Sequence, residues 1–280
     1  MTARSELIEP QRPVHPVAPV APVAPYVGGK RLLAKTVIER IEAIPHKLYA
    51  EPFVGMGGIF LRRRSAPRHE VINDISRDVY GLFRVLQEHY SYFVDYLKFQ
   101  VASRAEFERL QEVVPDTLTD IQRAARFLYL QRIAFGGKVQ GRSFGVKTDK
   151  PSRFDLTRLV PMLDDLHERL AGVVIECLPY ADFLARYDKP ATLFYLDPPY
   201  WGSEDYYGKE VFTRADFEKL AGILSNIKGR FILSLNDTAG VRETFGAFSI
   251  EAATTRYSLN GSKPKETGEV IITNGYPTTT

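Results

Sequence analysis

The fold is decided by Thr192-Leu193-Phe194-Tyr195-Leu196-Asp197-Pro198-Pro199-Tyr200. The first five residues form a mainly apolar run, which predicts a buried strand of a parallel sheet. The strand must end at the two prolines, because proline has no N–H group to donate to a ladder. Asp197 is therefore expected at the carboxyl end of a strand, the edge where open α/β sheets bind ligands.

The turn after this strand presents two hydrogen-bond acceptors and a flat ring. The fixed φ angles of Pro198 and Pro199 hold the Asp197 carboxylate and the Pro198 carbonyl in a stiff relation, and Tyr200 supplies a π surface. A planar ring with an exocyclic NH2 group would suit this site, because two acceptors match its two N–H bonds. The alternative is a plain turn with a solvated Asp197 and a core Tyr200.

A glycine-rich motif lies upstream at Glu51-Pro52-Phe53-Val54-Gly55-Met56-Gly57-Gly58. It stands between a short apolar stretch and a helix-like run over residues 59–64, the layout that brings a backbone close to a nucleoside-bearing ligand. Gly55 and Gly57 lack the side chains that would block this approach. Phe60 stands where the dinucleotide fingerprint has its third glycine, so a plain turn remains the alternative.

An acid also ends the next apolar stretch, Val71-Ile72-Asn73-Asp74. An acid at the end of the second strand of such a fold can accept hydrogen bonds from both ribose hydroxyls. The alternative is that Asp74 or Ser76 caps a helix that starts near Arg77. Both roles are compatible, because a cap position faces the same crevice.

The segment Tyr26-Val27-Gly28-Gly29-Lys30 precedes an amphipathic helix. Free backbone N–H groups and an ammonium at a helix start suit a carboxylate. The segment is not a P-loop, because the upstream glycine spacing and the following Ser or Thr are missing. An ordinary loop with a surface lysine is the alternative.

Taken in their order along the chain, the motifs resemble those of Dam-type (D12 class) DNA adenine N6-methyltransferases, which use S-adenosylmethionine. The likeness runs from Tyr26 to the C-terminus and is weakest in the middle. It extends to three further segments, which are Tyr180-Ala181-Asp182-Phe183, Phe231-Ile232-Leu233-Ser234-Leu235-Asn236-Asp237-Thr238, and Arg256-Tyr257-Ser258 with Asn260-Gly261. The resemblance implies a Rossmann-like class I methyltransferase sheet with an inserted, mainly helical DNA-recognition domain.

The resemblance also implies a role for each matching residue. Tyr26 and Lys30 would hold the methionine end of the cofactor, with Lys30 paired to its carboxylate. Asp74 would bind the ribose, and Asp182 with Phe183 would lie against the adenine ring. The implied cofactor-binding set is Tyr26, Lys30, Glu51, Phe53, Gly55, Gly57, Asp74, Asp182, Phe183 and Asp197, and the implied catalytic set is Asp197, Pro198, Pro199 and Tyr200.

The chemistry expected at Asp197 is direct transfer of a methyl group to an amino nitrogen. That nitrogen is a poor nucleophile because its lone pair is delocalised, and accepting both N–H bonds at Asp197 and Pro198 favours a pyramidal nitrogen. Positioning and electrostatics can supply most of the acceleration. Cys177 is not required, since no covalent intermediate is needed. The base should be flipped out of the duplex and stacked on Tyr200.

The middle of the chain is expected to read double-stranded DNA. A helix is predicted over residues 117–133, followed by a basic loop over residues 138–153 that suits phosphate contact. The DNA-binding candidates are Arg132, Lys138, Arg142 and Lys147. Gly136 and Gln140 depart from the base-reading pattern of the family, so a GATC target is not implied. A solvated basic loop is the alternative.

The expected domain division is a disordered Pro/Ala/Val-rich tail over residues 1–25, a catalytic domain over 26–77 and 171–280, and a recognition insertion over 78–170. Proline at the density of Pro16 to Pro25 favours an extended tail without a core. We expect a monomer.

Composition limits the remaining functions. The net charge of +3 permits nucleic-acid binding without requiring it. Cys177 is the single cysteine, and the five histidines are scattered, so we expect no disulfide and no metal site. No run is long enough to span a membrane and the start is not a signal peptide, which predicts a cytoplasmic protein.

The resemblance implies a bacterial or phage-encoded enzyme, and a housekeeping methylase and a restriction–modification methylase share these motifs. Three other functions stay open at this point. They are a cytosine-N4 DNA methyltransferase, an RNA or protein amide methyltransferase, and a non-enzymatic DNA-binding module, which alone would tolerate loss of the Asp197 carboxylate.

Overall fold

The computed structural model describes residues 15–26, 30, 33–137, 139, 141–145, 151–202, 212–257 and 265–275. Its strands are β1 His15–Pro16, β2 Leu48–Glu51, β3 Ser65–Ala66, β4 His69–Asn73, β5 Val174–Glu176, β6 Thr192–Leu196, β7 Arg230–Asn236, β8 Ser249–Tyr257 and β9 Lys265–Thr273. Its helices are α1 Ala34–Ala43, α2 Arg77–Glu88, α3 Tyr90–Leu97, α4 Arg104–Glu112, α5 Asp120–Ile133, α6 Leu156–Arg169, α7 Tyr180–Tyr187, α8 Arg214–Leu224 and α9 Ala239–Thr244.

Seven of these strands form one sheet in the order β5-β4-β2-β6-β7-β9-β8. The first five run parallel, and β9 is antiparallel to both β7 and β8. From β2 the chain builds outward through β4 to β5, and from β6 it builds the other way, so the strand order reverses between β2 and β6. Such a switch point opens a crevice at the carboxyl ends of the strands.

The expected α/β class and the strand over Thr192–Leu196 are confirmed. All five residues of β6 are buried, because the strand lies between β2 and β7 and is covered on both faces. Leu193 and Tyr195 belong to one apolar cluster, whereas Phe194 and Leu196 belong to another. Successive side chains of a strand point to opposite faces, so each face of the sheet has its own core.

Helix starts follow local signals. Ser76 caps α2 by accepting a hydrogen bond from the Val79 N–H group, as one of the two predicted caps. The helix predicted over residues 117–133 begins instead at Asp120, because Thr119 and Gln122 form a capping box there. The helix-like run over 59–64 is a single 3-10 turn, Phe60–Arg62.

The helices α2 to α6 lie between β4 and β5, in the segment expected to be a recognition insertion. They do not build a core of their own. Phe83, Phe127 and Leu163 belong to the same apolar cluster as Tyr49 and Leu193 of the sheet. The segment is helical as the pattern indicated, and its separate role in recognition stays a prediction.

The N-terminal segment differs from the expected disordered tail over residues 15–25. β1 pairs with β3, the Val20 N–H group donates to the Leu61 carbonyl at 2.7 Å, and Val20 and Val23 are buried. An extended proline-rich chain has no internal hydrogen bonds to lose, so its valines can bury against an existing groove. The prediction of disorder is wrong for residues 15–25, which we name the strap. Residues 1–14 lie outside the described part of the chain.

Candidate active site

A cavity of about 1790 Å³ lies at the switch point, at the carboxyl ends of β2, β4 and β6. Ligand cavities commonly measure roughly 300–1,000 Å³, so this one has room beyond a single small molecule. Eight of the predicted catalytic and cofactor-binding residues line it, namely Tyr26, Lys30, Glu51, Phe53, Gly55, Asp74, Asp197 and Pro199. The motifs singled out in the sequence thus converge, although they are separated by up to about 170 residues along the chain.

Asp197 stands at the wall of the cavity with its side chain 20% exposed. Its Oδ1 atom lies 3.0 Å from Lys30 Nζ and 3.5 Å from Ser234 Oγ on β7. Burial raises the pKa of Asp197 to about 6, although Lys30 acts to lower it. At neutral pH the carboxyl group is therefore mostly ionised and accepts hydrogen bonds.

Lys30 is held by the protein's own carboxylates. Its side chain is 1% exposed, its Nζ atom lies 3.5 Å from Glu269 Oε2, and it donates a hydrogen bond to the Tyr200 hydroxyl. The Tyr200 hydroxyl donates in turn to Glu269 Oε1 at 2.7 Å. We name Lys30, Asp197, Tyr200 and Glu269 the catalytic cluster. Sequence reasoning missed Glu269, although an acid directly before the apolar run Val270-Ile271-Ile272 is a signal that could have found it.

Glu51 is a buried carboxyl group at the end of β2. The Tyr49 hydroxyl donates to Glu51 Oε2 at 2.6 Å. Burial raises the pKa of Glu51 to about 8, and the hydrogen bond from Tyr49 only partly counters this. Glu51 is therefore mainly protonated at neutral pH and adds little charge beside Asp197.

Asp74 lies directly after β4 and accepts two backbone hydrogen bonds, while the helix cap is Ser76. The Oδ2 atom of Asp74 accepts from the Gly55 N–H group and its Oδ1 atom from the Ser76 N–H group, both at 2.9 Å. Burial raises the pKa of Asp74 to about 6, against the effect of these two bonds. The carboxylate thus ties the glycine turn to the start of α2 while it lines the cavity.

The glycines of the turn are required by the backbone and by internal packing. Gly55 and Gly57 have φ angles of 50° and 74°, which side chains disfavour. A Cβ atom on Gly55 would lie 3.2 Å from the Tyr26 ring, and one on Gly57 would lie 2.7 Å from Leu61 Cγ. The two glycines therefore make room for Tyr26 and Leu61, whereas the sequence suggested that they make room for a ligand.

The sequence matches a known family over most of its length. Residues 26–259 match the model of the D12 class N6 adenine-specific DNA methyltransferases. The chain belongs to this family. It is therefore an enzyme that methylates adenine N6 in DNA, as its motifs predicted, and the sheet is consistent with the class I methyltransferase fold. Methyltransferases of this kind generally use S-adenosylmethionine.

Relatives of this D12 methyltransferase include two type II enzymes. The chain is 24% identical to type II methyltransferase M1.LlaDCHI of Lactococcus lactis subsp. cremoris, over 89% of this chain and 93% of the relative. It is 20% identical to type II methyltransferase M.CviBI of Paramecium bursaria Chlorella virus NC1A, over 71% and 77%. The retron Ec67 DNA adenine methylase of Escherichia coli is 23% identical, over 89% and 90%.

Three predicted cofactor contacts of the methyltransferase are not among the residues that line the cavity, namely Gly57, Asp182 and Phe183, and the same holds for the predicted catalytic residues Pro198 and Tyr200. Phe183 is buried in the core with its ring centroid 4.9 Å from that of Tyr187, and Asp182 is exposed to solvent. The residues of this segment that line the cavity are Leu178, Pro179, Tyr180 and Ala181. Tyr180 lies in an aromatic group with Phe53 and Phe212, whose ring centroids are 5.6 and 5.7 Å from its own.

Two asparagines hold the strand ends in place, and sequence reasoning gave them no role. Asn73 donates to the carbonyls of Pro52 and Leu178 at 2.9 and 3.0 Å and accepts from the Leu178 N–H group. Asn236 accepts from the Trp201 N–H group at 2.9 Å and donates to the Trp201 carbonyl at 3.0 Å. Asn236 thereby anchors the turn that carries Asp197. An amide at the end of an apolar strand was the available signal in both cases.

The predicted DNA-binding residues divide into two groups. Arg132 donates to the carbonyls of Arg153 and Val23, and Arg142 donates to Gln131 Oε1 at 3.1 Å. Both arginines thus hold internal structure. Lys138 and Lys147 lie outside the described residues, as do residues 258–261 and the side chains of 256 and 257.

Among the residues that the structure describes, no group of His, Cys, Asp and Glu side chains is arranged to hold a metal ion. No helix within the same residues has the length and apolar character needed to cross a membrane.

Proposed function

We propose that Asp197 and the Pro198 carbonyl accept the two N–H bonds of an adenine amino group, with the adenine flipped out of double-stranded DNA. The observation that carries this proposal is the position of Asp197. It is an ionised, part-exposed carboxylate at the end of the central strand, on the wall of a cavity that gathers the motif residues.

Methyl transfer to an amino group requires hydrogen-bond acceptors on the protein and not a protein nucleophile. An adenine amino nitrogen donates its lone pair into the ring, and hydrogen bonds to both N–H groups favour the pyramidal form whose lone pair points outward. Asp197 is also the base that can take the proton that the nitrogen loses on methylation. The prolines hold the two acceptors at a fixed separation, so the geometry exists before the base arrives.

We propose that S-adenosylmethionine binds in the same cavity. Bound there, it supplies a methyl group on a sulfonium, which is a reactive donor. Asp74 is placed to accept from ribose hydroxyls, and the aromatic group of Phe53, Tyr180 and Phe212 suits an adenine ring. This group replaces Asp182 and Phe183 in the expected role, because those two residues do not line the cavity.

Lys30 also takes a role different from the one that the resemblance implies. It was expected to pair with the cofactor carboxylate, but Asp197 and Glu269 already hold its ammonium. We propose that Lys30 orients Asp197. The cofactor carboxylate would then meet one of the other cations of the cavity wall, which include Arg132, Arg153, Arg158 and Lys219.

We propose that the DNA approaches over the basic loop that ends at Arg153. Arg153 and Arg158 are exposed at the cavity, where a DNA backbone would need positive charge. Extruding a base costs a few kcal/mol, and stacking on Tyr200 would offset part of that cost. The Lys30 ammonium lies 4.0 Å from the centroid of the Tyr200 ring, so a stacked base would take the opposite face.

The test is to incubate the purified protein with unmethylated DNA and S-adenosylmethionine, digest the DNA, and identify the modified nucleoside by mass spectrometry. N6-methyladenine is expected from the wild type and none from Asp197→Ala. Asp95→Ala removes an exposed carboxylate on α3 and serves as the control. Methylation by Asp197→Ala at the wild-type rate would contradict the proposed role of Asp197.

We further propose that the enzyme acts as a monomer on one short target sequence, as part of a restriction–modification system. The two relatives named as type II methyltransferases support the restriction–modification part of this proposal. Sequencing that maps N6-methyladenine on a plasmid should place the modification in a single motif. Light scattering with and without DNA should give the mass of one chain. Methylation without a shared motif would contradict site specificity.

A further inference from the structure

Glu269 is a fully buried carboxyl group in β9, the antiparallel strand beside β7. Its side chain is 0% exposed, and its neighbours Val270, Ile271 and Ile272 are apolar. The register pairs Glu269 with Asn236, the last residue of β7, so the carboxyl group lies at the edge of the sheet where the site is. An ionised carboxylate in such a place costs several kcal/mol unless it is paired.

The partners of Glu269 belong to the catalytic cluster. Its Oε1 atom accepts from the Tyr200 hydroxyl at 2.7 Å, and its Oε2 atom lies 3.5 Å from Lys30 Nζ. Lys30 is also 3.0 Å from Asp197 Oδ1, so one ammonium is shared by two carboxylates that come from different strands. The hydroxyl group of Tyr200 is thereby held by both Lys30 and Glu269.

We infer that Glu269 is a positioning residue for methyl transfer, which holds Lys30 and Tyr200 against Asp197. This inference rests on the role proposed above for Asp197. Glu269 does not touch the reacting atoms. It sets the direction of the Lys30 ammonium, which orients the Asp197 carboxylate, and it sets the plane of the Tyr200 ring on which the base would stack.

Glu269 also acts on Asp197 through its charge. The groups that face Asp197 are Lys30, Glu269, Ser234 of β7, Tyr195 of β6 and Glu51 of β2. Lys30 and Ser234 lower the pKa of Asp197, whereas Glu269 raises it. Without the negative charge of Glu269, the Lys30 ammonium would act on Asp197 alone. The pKa of Asp197 would then fall, and its carboxylate would become a weaker acceptor.

The decisive variant is Glu269→Gln in the full chain, because glutamine keeps the size of the side chain and an oxygen for the Tyr200 hydroxyl. We would measure the single-turnover rate of methyl transfer to duplex DNA across the range from about pH 5 to about pH 9. We expect the rate to fall about tenfold, with less than about threefold change in the affinity for DNA and for S-adenosylmethionine. We expect the acid limb of the profile to move to lower pH.

Tyr200→Phe separates the two parts of the effect, because it keeps the ring and removes the hydroxyl. The rate should fall while the acid limb stays in place, since no charge is lost. If Glu269→Gln does not fold, Tyr200→Phe still decides the positioning role, and a wild-type rate in it would overturn the inference.

Glu176→Gln and Tyr187→Phe are the matched controls. Glu176 accepts from the Tyr187 hydroxyl at 2.5 Å and pairs with Arg186 at 3.4 Å, so its chemistry mirrors that of Glu269. The side-chain partners of Glu176 are Tyr187 and Arg186, and neither of them belongs to the catalytic cluster. Both controls should keep the wild-type rate and the wild-type acid limb.

A wild-type rate and an unmoved acid limb in Glu269→Gln would overturn the inference. A second outcome would also overturn it. In that outcome the rate falls only as much as the amount of folded protein, judged by the melting temperature, and the pH dependence of the rate stays unchanged. The variant Asp197→Asn separates this failure from that of the proposed function. If Asp197→Asn is active, the proposed function fails; if it is inactive while Glu269→Gln behaves as wild type, only the present inference fails.

Discussion

Two buried ionic groups lie on the same sheet, and they differ in the sign of their net charge and in their access to solvent. The catalytic cluster contains one cation and two carboxylates, and it opens to the cavity at Asp197. The second group, which we name the structural cluster, contains Arg63, Glu70 and Arg169, all 9% exposed or less. It has two cations and one carboxylate.

The structural cluster balances its extra positive charge internally. Arg169 binds Glu70 through two hydrogen bonds of 2.7 and 2.9 Å, and Arg63 also pairs with Glu70. The Arg63 guanidinium lies 3.7 Å from the Tyr49 ring centroid, and that of Arg169 lies 4.0 Å from the Phe60 ring centroid. Aromatic faces stabilise cations in this way. None of the three charged residues lines the cavity.

The comparison separates a charge that supports the fold from a charge that performs chemistry. In the structural cluster each charge is turned towards a fixed partner. In the catalytic cluster a carboxylate with a raised pKa faces open space, which is how a fold holds an acceptor ready for a ligand. Substitutions in the two clusters should therefore affect different measurements.

The largest effect is expected from Asp197→Asn. An amide in place of the carboxylate presents N–H groups to the target amino group and cannot take its proton, so methyl transfer should fall by more than about a thousandfold. The melting temperature should stay the same or rise, because a buried charge is removed. Activity within about tenfold of the wild type would contradict the division between the clusters.

Glu70→Gln should lower the stability of the protein and leave the rate of methyl transfer unchanged. It leaves two buried guanidinium groups without their carboxylate, and breaking a buried ion pair in this way costs about 3–5 kcal/mol. Denaturant unfolding should show that loss of stability. The rate of methyl transfer per folded molecule should remain that of the wild type. A fall in rate with unchanged stability would assign the structural cluster to catalysis.

The pH dependence should make activity and stability move in opposite directions. Asp197 and Asp74 have pKa values raised to about 6 and Glu51 one raised to about 8, so each binds a proton more tightly in the folded state than in the unfolded state. Stability should therefore fall as the pH rises from about 4 to about 8. Activity should fall below about pH 6, where Asp197 becomes protonated.

Glu51→Gln sharpens this pH prediction. Glutamine resembles the protonated form of Glu51, so the slope of the melting temperature against pH should flatten between about pH 6 and pH 8. The rate of transfer at neutral pH should change by less than about threefold. An unaltered slope would show that Glu51 is ionised in the folded protein.

The smallest effect is expected from Asp182→Ala, which tests the structure against the family resemblance. Asp182 is exposed and outside the cavity wall, so the affinity for S-adenosylmethionine should change by less than about twofold. Tyr180→Ala removes a ring from the wall and should weaken binding by about tenfold. Calorimetric titration measures the affinity of each variant for S-adenosylmethionine. A larger loss of affinity in Asp182→Ala than in Tyr180→Ala would place Asp182 in the cofactor site.

Local signals in the sequence predicted much of the fold and part of the site. The apolar run before Asp197 predicted β6, and Ser76 before Arg77 predicted the start of α2, because each signal lies within a few residues of its effect. Asp74 was expected at the end of a strand beside the crevice, and it lies directly after β4 on the wall of the cavity. These features depend on backbone chemistry close along the chain.

The features that sequence reasoning missed depend on long-range pairing. Glu269 acquires its proposed role because β9 brings it to Lys30 and Tyr200. The apolar run after Glu269 marks an acid at a strand, but it does not indicate which residues that acid meets. The strap over residues 15–25 has the composition of a tail, yet the groove formed by later residues buries its valines. Phe183 lies in the core rather than at the cavity, because helical phase turns its ring inward.

The catalytic cluster draws on residues that lie far apart along the polypeptide, and this has a consequence for synthesis on the ribosome. Lys30 is made first, Asp197 follows and Glu269 comes later still, while the strap must wait for Arg132 before its Val23 carbonyl finds a donor. Contacts of such wide sequence separation form slowly and late in folding. A nascent chain that has just exposed Asp197 therefore lacks β9, the strand that completes the surroundings of Asp197.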